Sequence, residues 1–145
     1  NKKNSFEKIG LKINYTAVES MGQLVELMNH YFKSENISGE AVHLSLFELE
    51  KIKKLISEQK KPRIVFLFKV VDSLEMLESD YSKKLISEIA EICDFAVLSF
   101  ATKSMIKRKK FRAKRNWILD FLNENFEIAD EFESGDEKYV VFHSR

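Results

Sequence analysis

This sequence predicts an α/β fold on a mostly parallel sheet, and three observations carry the expectation. Short β-rich runs alternate with amphipathic segments of helical period, two of the runs are almost continuously apolar, and the chain closes on two strand-like runs around Gly135. Strands buried on both faces of a parallel sheet read as continuous apolar runs, whereas a terminal pair split by a glycine turn reads as an antiparallel hairpin. The helices then cover both sides of the sheet.

Ile13 to Val18 (INYTAV) alternates and is β-rich, ending at Glu19. SMGQLVELMNHYF follows, with Leu24, Leu27, Met28, Tyr31 and Phe32 at helical spacing. Ala41 to Phe47 (AVHLSLF) is a second strand, and in ELEKIKKLISEQ the residues Leu49, Ile52, Leu55 and Ile56 share one helical face. Pro62 punctuates the chain before RIVFLFKVV, whose apolar continuity predicts a central strand. Residues 76–92 form one amphipathic helix, and DFAVLSFA is a further apolar strand. Residues 111–125 are helical with Trp117, Ile118, Phe121 and Leu122 facing inward, and EIADEFES with EKYVVFHS forms the hairpin. There is no internal repeat and no linker, so residues 1–145 read as a single domain.

The 145 residues are 44% hydrophobic and include 12 Phe, enough apolar material for a real core. The lone cysteine, Cys93, lies in an apolar stretch and reads as core packing. It excludes a disulfide framework and a multi-thiolate metal site, and suits a reducing cytosol. No apolar run reaches the roughly 18 residues of a membrane span, and NKKNSFEKIG is not followed by the apolar stretch of a signal peptide. A cytoplasmic protein without membrane contact is expected. His30, His43 and His143 are isolated from one another at no metal-ligand spacing, so no metal site is expected, and no Ser-His-Asp or nucleophile-elbow pattern occurs.

Charge is balanced overall, 24 basic against 23 acidic residues, but not locally. Lys103, Lys107, Arg108, Lys109, Lys110, Arg112, Lys114 and Arg115 fall within thirteen positions with no acid among them and Phe111 interleaved. A solvated helix face mixes signs. An unrelieved basic patch attracts phosphates and makes binding salt-dependent, which points to RNA, the other reading being a merely solvated loop. From Asp120 to Glu137 every charge is acidic, so that stretch should face away from RNA.

In open α/β sheets ligands bind beyond the carboxyl ends of the strands. Those ends carry Glu19, the 44–48 turn, Lys69 to Asp72, and Ser99 to Lys103. A strand-end acid can accept both hydroxyls of a ribose, and it can equally complement the dipole of the following helix. Lys69 is the only charge from Ile64 to Val71, and a buried lysine is costly unless paired, so it faces a ligand or snorkels outward.

VFLFKVVDSLEMLE and CDFAVLSFATKSM together resemble the fourth and fifth strands of the aminoglycoside-resistance 16S ribosomal RNA methyltransferases. In that family an apolar strand ends in leucine, lysine and a short apolar segment, and the next ends in Ser-Phe-Pro-Thr-Arg-Ser or a close variant. The matching residues are Leu67, Phe68, Lys69 and Val70, then Ser99 to Ser104, with Ala101 for the proline and Lys103 for the arginine. INYTAVES is similar to the family's second strand, and the likeness spans about residues 11–142.

The resemblance implies a Rossmann-like class I methyltransferase that uses S-adenosylmethionine as cofactor and methylates a guanine N7 of 16S rRNA in the 30S subunit, acting as a monomer. A role in antibiotic resistance goes with the family. It implies cofactor contacts from Glu19, at the ribose, and from Ser45, Phe47, Glu48, Phe68 and Lys69, with the basic run on the RNA. No catalytic side chain is implied, because a sulfonium is already an activated leaving group. The family's first strand and Gly-rich loop should precede residue 11, and NKKNSFEKIG does not contain them. The family's second acid is Met21 here. Two other readings stand beside this one: a noncatalytic RNA-binding relic of the fold, and a methyltransferase of small molecules, against which the basic run argues.

Overall fold

The computed structural model describes residues 10–102 and 109–145, without the side chains of residues 109–115. Along the chain come β1 (Tyr15–Glu19), α1 (Gly22–Ser34), β2 (Gly39–His43), α2 (Leu49–Ser57), β3 (Ile64–Phe68) and α3 (Val71–Leu77). They are followed by α4 (Tyr81–Ala90), β4 (Phe95–Ala101), α5 (Lys109–Asn125), β5 (Glu127–Ser134) and β6 (Glu137–His143). The fold class is α/β as expected. Two compact units divide the chain, Asn1–Ile52 and Lys53–Arg145. Among the described residues the ladders make two sheets, β1-β2 in the first unit and β3-β4-β6-β5 in the second.

In the first unit β1 and β2 run parallel, with Ala17 opposite Ala41 and Glu19 opposite His43. Phe32 of α1 packs on Ala17 and Ala41, with Val25, Met28 and Ile37 around them. The small strand residues admit the large ring, which is why two alanines sit where bulkier β-formers would be usual. Asn36 ends the helix region in the left-handed conformation, φ 53, and the Ile37 amide donates to Phe32 O. Asn29 of α1 pairs with the outer edge of β2, its Nδ2 donating to Ala41 O at 3.0 Å and its Oδ1 accepting from Ala41 N at 2.8 Å. One side chain so satisfies both edge groups of that residue, which blunts the strand against further pairing.

In the second unit β3 and β4 are parallel, β4 and β6 antiparallel, and β5 and β6 form the expected hairpin with an irregularity between Ile128 and Asp130. One face of this sheet carries Leu67, Ala96, Leu98, Phe100, Val140 and Phe142, all buried. Helices α4 and α5 supply Leu85, Ile86, Ile89, Ile118 and Leu122 to the same core, and the Phe126 ring meets Phe142 at 5.2 Å. Each fully buried Leu, Ile or Phe here stabilises the fold by about 1.5–3 kcal/mol relative to exposure.

Four expectations are corrected. The run from Ile64, expected to be central and buried on both faces, is an edge strand among the described residues, and Ile64, Phe66 and Phe68 stay about half exposed. The single helix expected over residues 76–92 is two, because Glu75 turns back at its end. Its Oε2 accepts from Asp80 N and its Oε1 from Ser82 N, holding Asp80 left-handed between α3 and α4. The strand expected over 41–47 ends at His43, since Ser45 and Glu48 close a turn ahead of α2. On α5 the residues that go inward are Ile118 and Leu122, while Trp117 and Phe121 are only half-buried. Lys83 covers their rings, its Nζ 4.4 Å from the Trp117 centroid, so an ammonium takes the place that core side chains were expected to fill.

Candidate functional site

The sequence-predicted ligand residues sit at the carboxyl ends of parallel strands, three groups in two separately described units. At the end of β1, Glu19 Oε1 accepts from Met21 N at 3.0 Å, just where α1 begins. The carboxylate thereby complements the positive end of α1. Its second oxygen makes no hydrogen bond among the described residues. Opposite, at the end of β2, His43 Nε2 lies 2.9 Å from Ser20 O. A carbonyl only accepts, so this nitrogen carries the proton, and the ring ties the end of β2 to the turn after Glu19.

Beyond β2 the segment Ser45 to Glu48 is a reciprocally bonded turn that leads into α2. Ser45 Oγ accepts from Phe47 N at 3.2 Å and Glu48 Oε2 accepts from Ser45 N at 3.0 Å. Glu48 Oε1 pairs with Lys51 at 3.0 Å. The Ser45 backbone amide, with Lys51 behind it, holds the Glu48 carboxyl below the usual carboxylate range. The signal was present in the sequence as Ser-x-x-Glu ahead of an apolar helical run. Both polar side chains shape the turn, and Phe47 remains 36% exposed on it.

In the second unit, β3 ends at Phe68, and Lys69 takes a left-handed backbone, φ 56. Its amide donates to Ser99 O at 3.0 Å, so the strand is still paired as it turns. For a residue with a Cβ that conformation costs about 1–2 kcal/mol, and such outliers concentrate where the chain must present a side chain. Lys69 Nζ reaches Glu137 Oε1 at 2.6 Å. The hydrogen bond from Lys69, assisted by Tyr139, keeps Glu137 ionised to lower pH than usual, and Glu137 in turn raises both Lys69 and Tyr139. Phe68, Ser99, Tyr139 and Phe132 lie in one row across all four strands. The Phe68 and Tyr139 rings meet edge to face at 5.8 Å, and Tyr139 stacks on Phe132 at 5.1 Å. Sequence reasoning missed Glu137 and Tyr139 because their role depends on β6 lying beside β4, a pairing no local pattern specifies.

Burial pushes the Cys93 thiol up to about 11, helped by Asp94, which suits packing and not nucleophilic attack. Among the described residues no group of His, Cys, Asp and Glu could hold a metal, and no helix is long and apolar enough to cross a membrane. Of the basic run, Lys103, Lys107 and Arg108 lie outside the described residues, as do the side chains of Lys109, Lys110, Arg112, Lys114 and Arg115.

No protein-family model matches the chain, and no curated protein does. Solved structures do. The 16S rRNA methyltransferase RmtF, crystallised with S-adenosyl-L-homocysteine, superposes over 97% of this chain with a TM-score of 0.73 and 15% identity. The 16S rRNA methylase ArmA covers 93% at 0.68 and 17%, and an rRNA methylase from Escherichia coli covers 97% at 0.68 and 14%. This is the fold those methyltransferases share. The chain spans 51%, 64% and 52% of their lengths respectively, so it corresponds to roughly half of the methyltransferase chains it matches. Each in its own unit, Glu19, the turn from Ser45 to Glu48 and Lys69 lie at or just past the end of a parallel strand.

Proposed function

We propose that this chain is an S-adenosylmethionine-dependent methyltransferase domain acting on small-subunit ribosomal RNA, at a guanine N7. The observation that supports the reading is positional: Glu19, Ser45 to Glu48, and Phe68 with Lys69 each lie at or just past the carboxyl end of a parallel strand. Such ends are where α/β folds hold nucleotide-like ligands. The likeness in fold to RmtF, whose structure contains S-adenosyl-L-homocysteine, favours this cofactor class over other nucleotides.

The first unit by itself offers groups for part of the cofactor. Glu19 keeps one carboxylate oxygen without a partner among the described residues, an acceptor for ribose hydroxyls. Phe47, in the same first unit, offers an exposed ring for adenine beside the backbone of the Ser45 turn. The cofactor's sulfonium supplies an activated methyl, so the chain's own task is to bind, orient and exclude water. Lys69 is held at the end of β3 by its ion pair with Glu137. The basic segment 103–115 would grip RNA phosphates.

A second reading, an RNA-binding relic without transfer, is favoured by one observation: Glu48 and Lys69 already spend their charges on partners within the chain. Incubating small ribosomal subunits with the protein and cofactor carrying a tritiated methyl separates the two. Label in 16S rRNA released as 7-methylguanine supports the proposal. Label on another atom overturns the N7 assignment, and RNA binding without label leaves the relic.

A further inference from the structure

The two parallel strands of the first unit end side by side, with Glu19 level with His43. Residues level with each other on neighbouring strands, about 4.8 Å apart, turn their side chains to the same face of the sheet. It is the face on which Ala17 and Ala41, two residues earlier in each strand, lie under Phe32 of α1. Both side chains therefore leave the sheet where the cover of α1 begins. Among the proposed cofactor contacts His43 has no part.

The His43 ring is held in one orientation and one tautomer. Nε2 donates to Ser20 O at 2.9 Å, so in the neutral imidazole Nδ1 is left as an acceptor. Nδ1 has no hydrogen-bond partner among the described residues, and the side chain is exposed. Gly22, the first residue of α1, stands against the same ring: a Cβ there would lie 3.5 Å from Cε1 and 3.7 Å from Nδ1. Without that Cβ this side of the imidazole stays uncrowded. His143, which ends β6, differs, because its Nδ1 already lies 2.8 Å from Ser144 O and its ring packs on Phe95.

A ribose presents hydroxyls on neighbouring carbons, two donors to be accepted at once. The unpartnered oxygen of Glu19 and Nδ1 of His43 are two acceptors on one face at neighbouring strand ends. We propose that His43 Nδ1 accepts a hydrogen bond from one ribose hydroxyl of the cofactor while Glu19 accepts from the other, so that the pair selects ribose over a sugar lacking either hydroxyl. The assignment rests on the S-adenosylmethionine reading of this site. The bond to Ser20 O serves the contact, since it keeps the proton on Nε2 and the lone pair on Nδ1. A neutral acceptor also suits the place better than a second carboxylate, which would repel Glu19.

Titration calorimetry on the protein as its gene encodes it, with S-adenosylhomocysteine and its 2′-deoxy and 3′-deoxy analogues, tests the contact. Both analogues should bind the wild-type protein more weakly than the parent, and either one binding as tightly would overturn the proposal. In His43→Gln the side-chain amide takes the place of Nε2 and can still donate to Ser20 O, while the acceptor at Nδ1 is gone. Affinity for S-adenosylhomocysteine should then fall about three- to tenfold, the worth of one neutral hydrogen bond, with the melting temperature little changed. For one of the two analogues, the one without the hydroxyl that Nδ1 holds, the same substitution should make no difference. His43→Asn, whose oxygen falls near the place of Nδ1, should bind more tightly than His43→Gln. Equal weakening with all three ligands would overturn the proposal, because a displaced turn affects every ligand alike, and so would unchanged affinity in His43→Gln or the reverse order of the two variants. If Glu19→Ala weakens binding in those cases, the cofactor reading stands and the His43 contact alone falls. No binding of S-adenosylhomocysteine by the folded wild-type protein would overturn both.

Discussion

Lys69 Nζ lies 2.6 Å from Glu137 Oε1, joining the left-handed residue that leaves β3 to the first residue of β6. The pair ties together two strands that are not neighbours, across the end of β4. Because Glu137 titrates below its ordinary 4.5, the contribution of its carboxylate is present above that value and is lost as pH falls through the lowered one. Lys69 is raised above 10.5, so its contribution is complete below 10.5 and is lost as pH rises through the raised value. The pair is therefore intact across the whole neutral range. In a carbon-detected titration the Glu137 midpoint should lie below 4.5 and move up toward it in Lys69→Met. An unchanged midpoint would mean that the pair does not form in solution.

Gly39 owes its identity to close approach. A Cβ there would meet Tyr15 O at 2.8 Å, a backbone atom that cannot swing aside. Gly39→Ala should open the first β1–β2 pair, where Tyr15 N donates to Ser38 O, and lower the stability of the first unit by about 1–3 kcal/mol. Chemical denaturation followed by Tyr15 amide exchange would read it. A neutral substitution would contradict the spacing of the two strands.

On α5, truncation should separate Leu122 from Trp117. Leu122→Ala removes a side chain with no exposure and should cost about 2–5 kcal/mol. Trp117→Ala removes a half-buried ring together with its Lys83 cation and should cost distinctly less. Urea midpoints of the two variants decide the order, and a larger effect at Trp117 would restore the inward placement that the sequence suggests.

Replacing Lys107, Arg108, Lys109 and Lys110 by Ala should weaken binding to small-subunit RNA and flatten its salt dependence by up to about 3.6 in the log-log slope, roughly 0.9 for each duplex phosphate that is no longer neutralised. Affinity for S-adenosylhomocysteine should hardly change. Filter binding across a salt series would show it, and an unaltered slope would reduce the basic run to a solvated segment.

Most elements were legible in the sequence because their cause is local. The period of Leu24, Met28 and Phe32 makes α1 wherever it sits, and the glycine turn at 135 makes the hairpin. What failed was long-range. β3 is as apolar as a central strand, yet sequence cannot say which strands will flank it, and here only β4 does among the described residues. The break at Asp80 depends on Glu75 folding back over two amides, an option open to any glutamate near a helix end. At the candidate site, residue type and strand-end position pointed to Glu19 and Lys69. The partner that holds Lys69 comes from β6, far along the chain, and was invisible to any short pattern.

The most direct measurement of the central claim is titration calorimetry of the encoded protein with S-adenosylhomocysteine, repeated for Glu19→Ala. The account predicts saturable one-to-one binding and a fall of about tenfold or more in affinity when the ribose acceptor is removed, the worth of about 1.5–3 kcal/mol for a charge-assisted hydrogen bond. Binding unaffected by Glu19→Ala, or no binding by a folded protein, would contradict it.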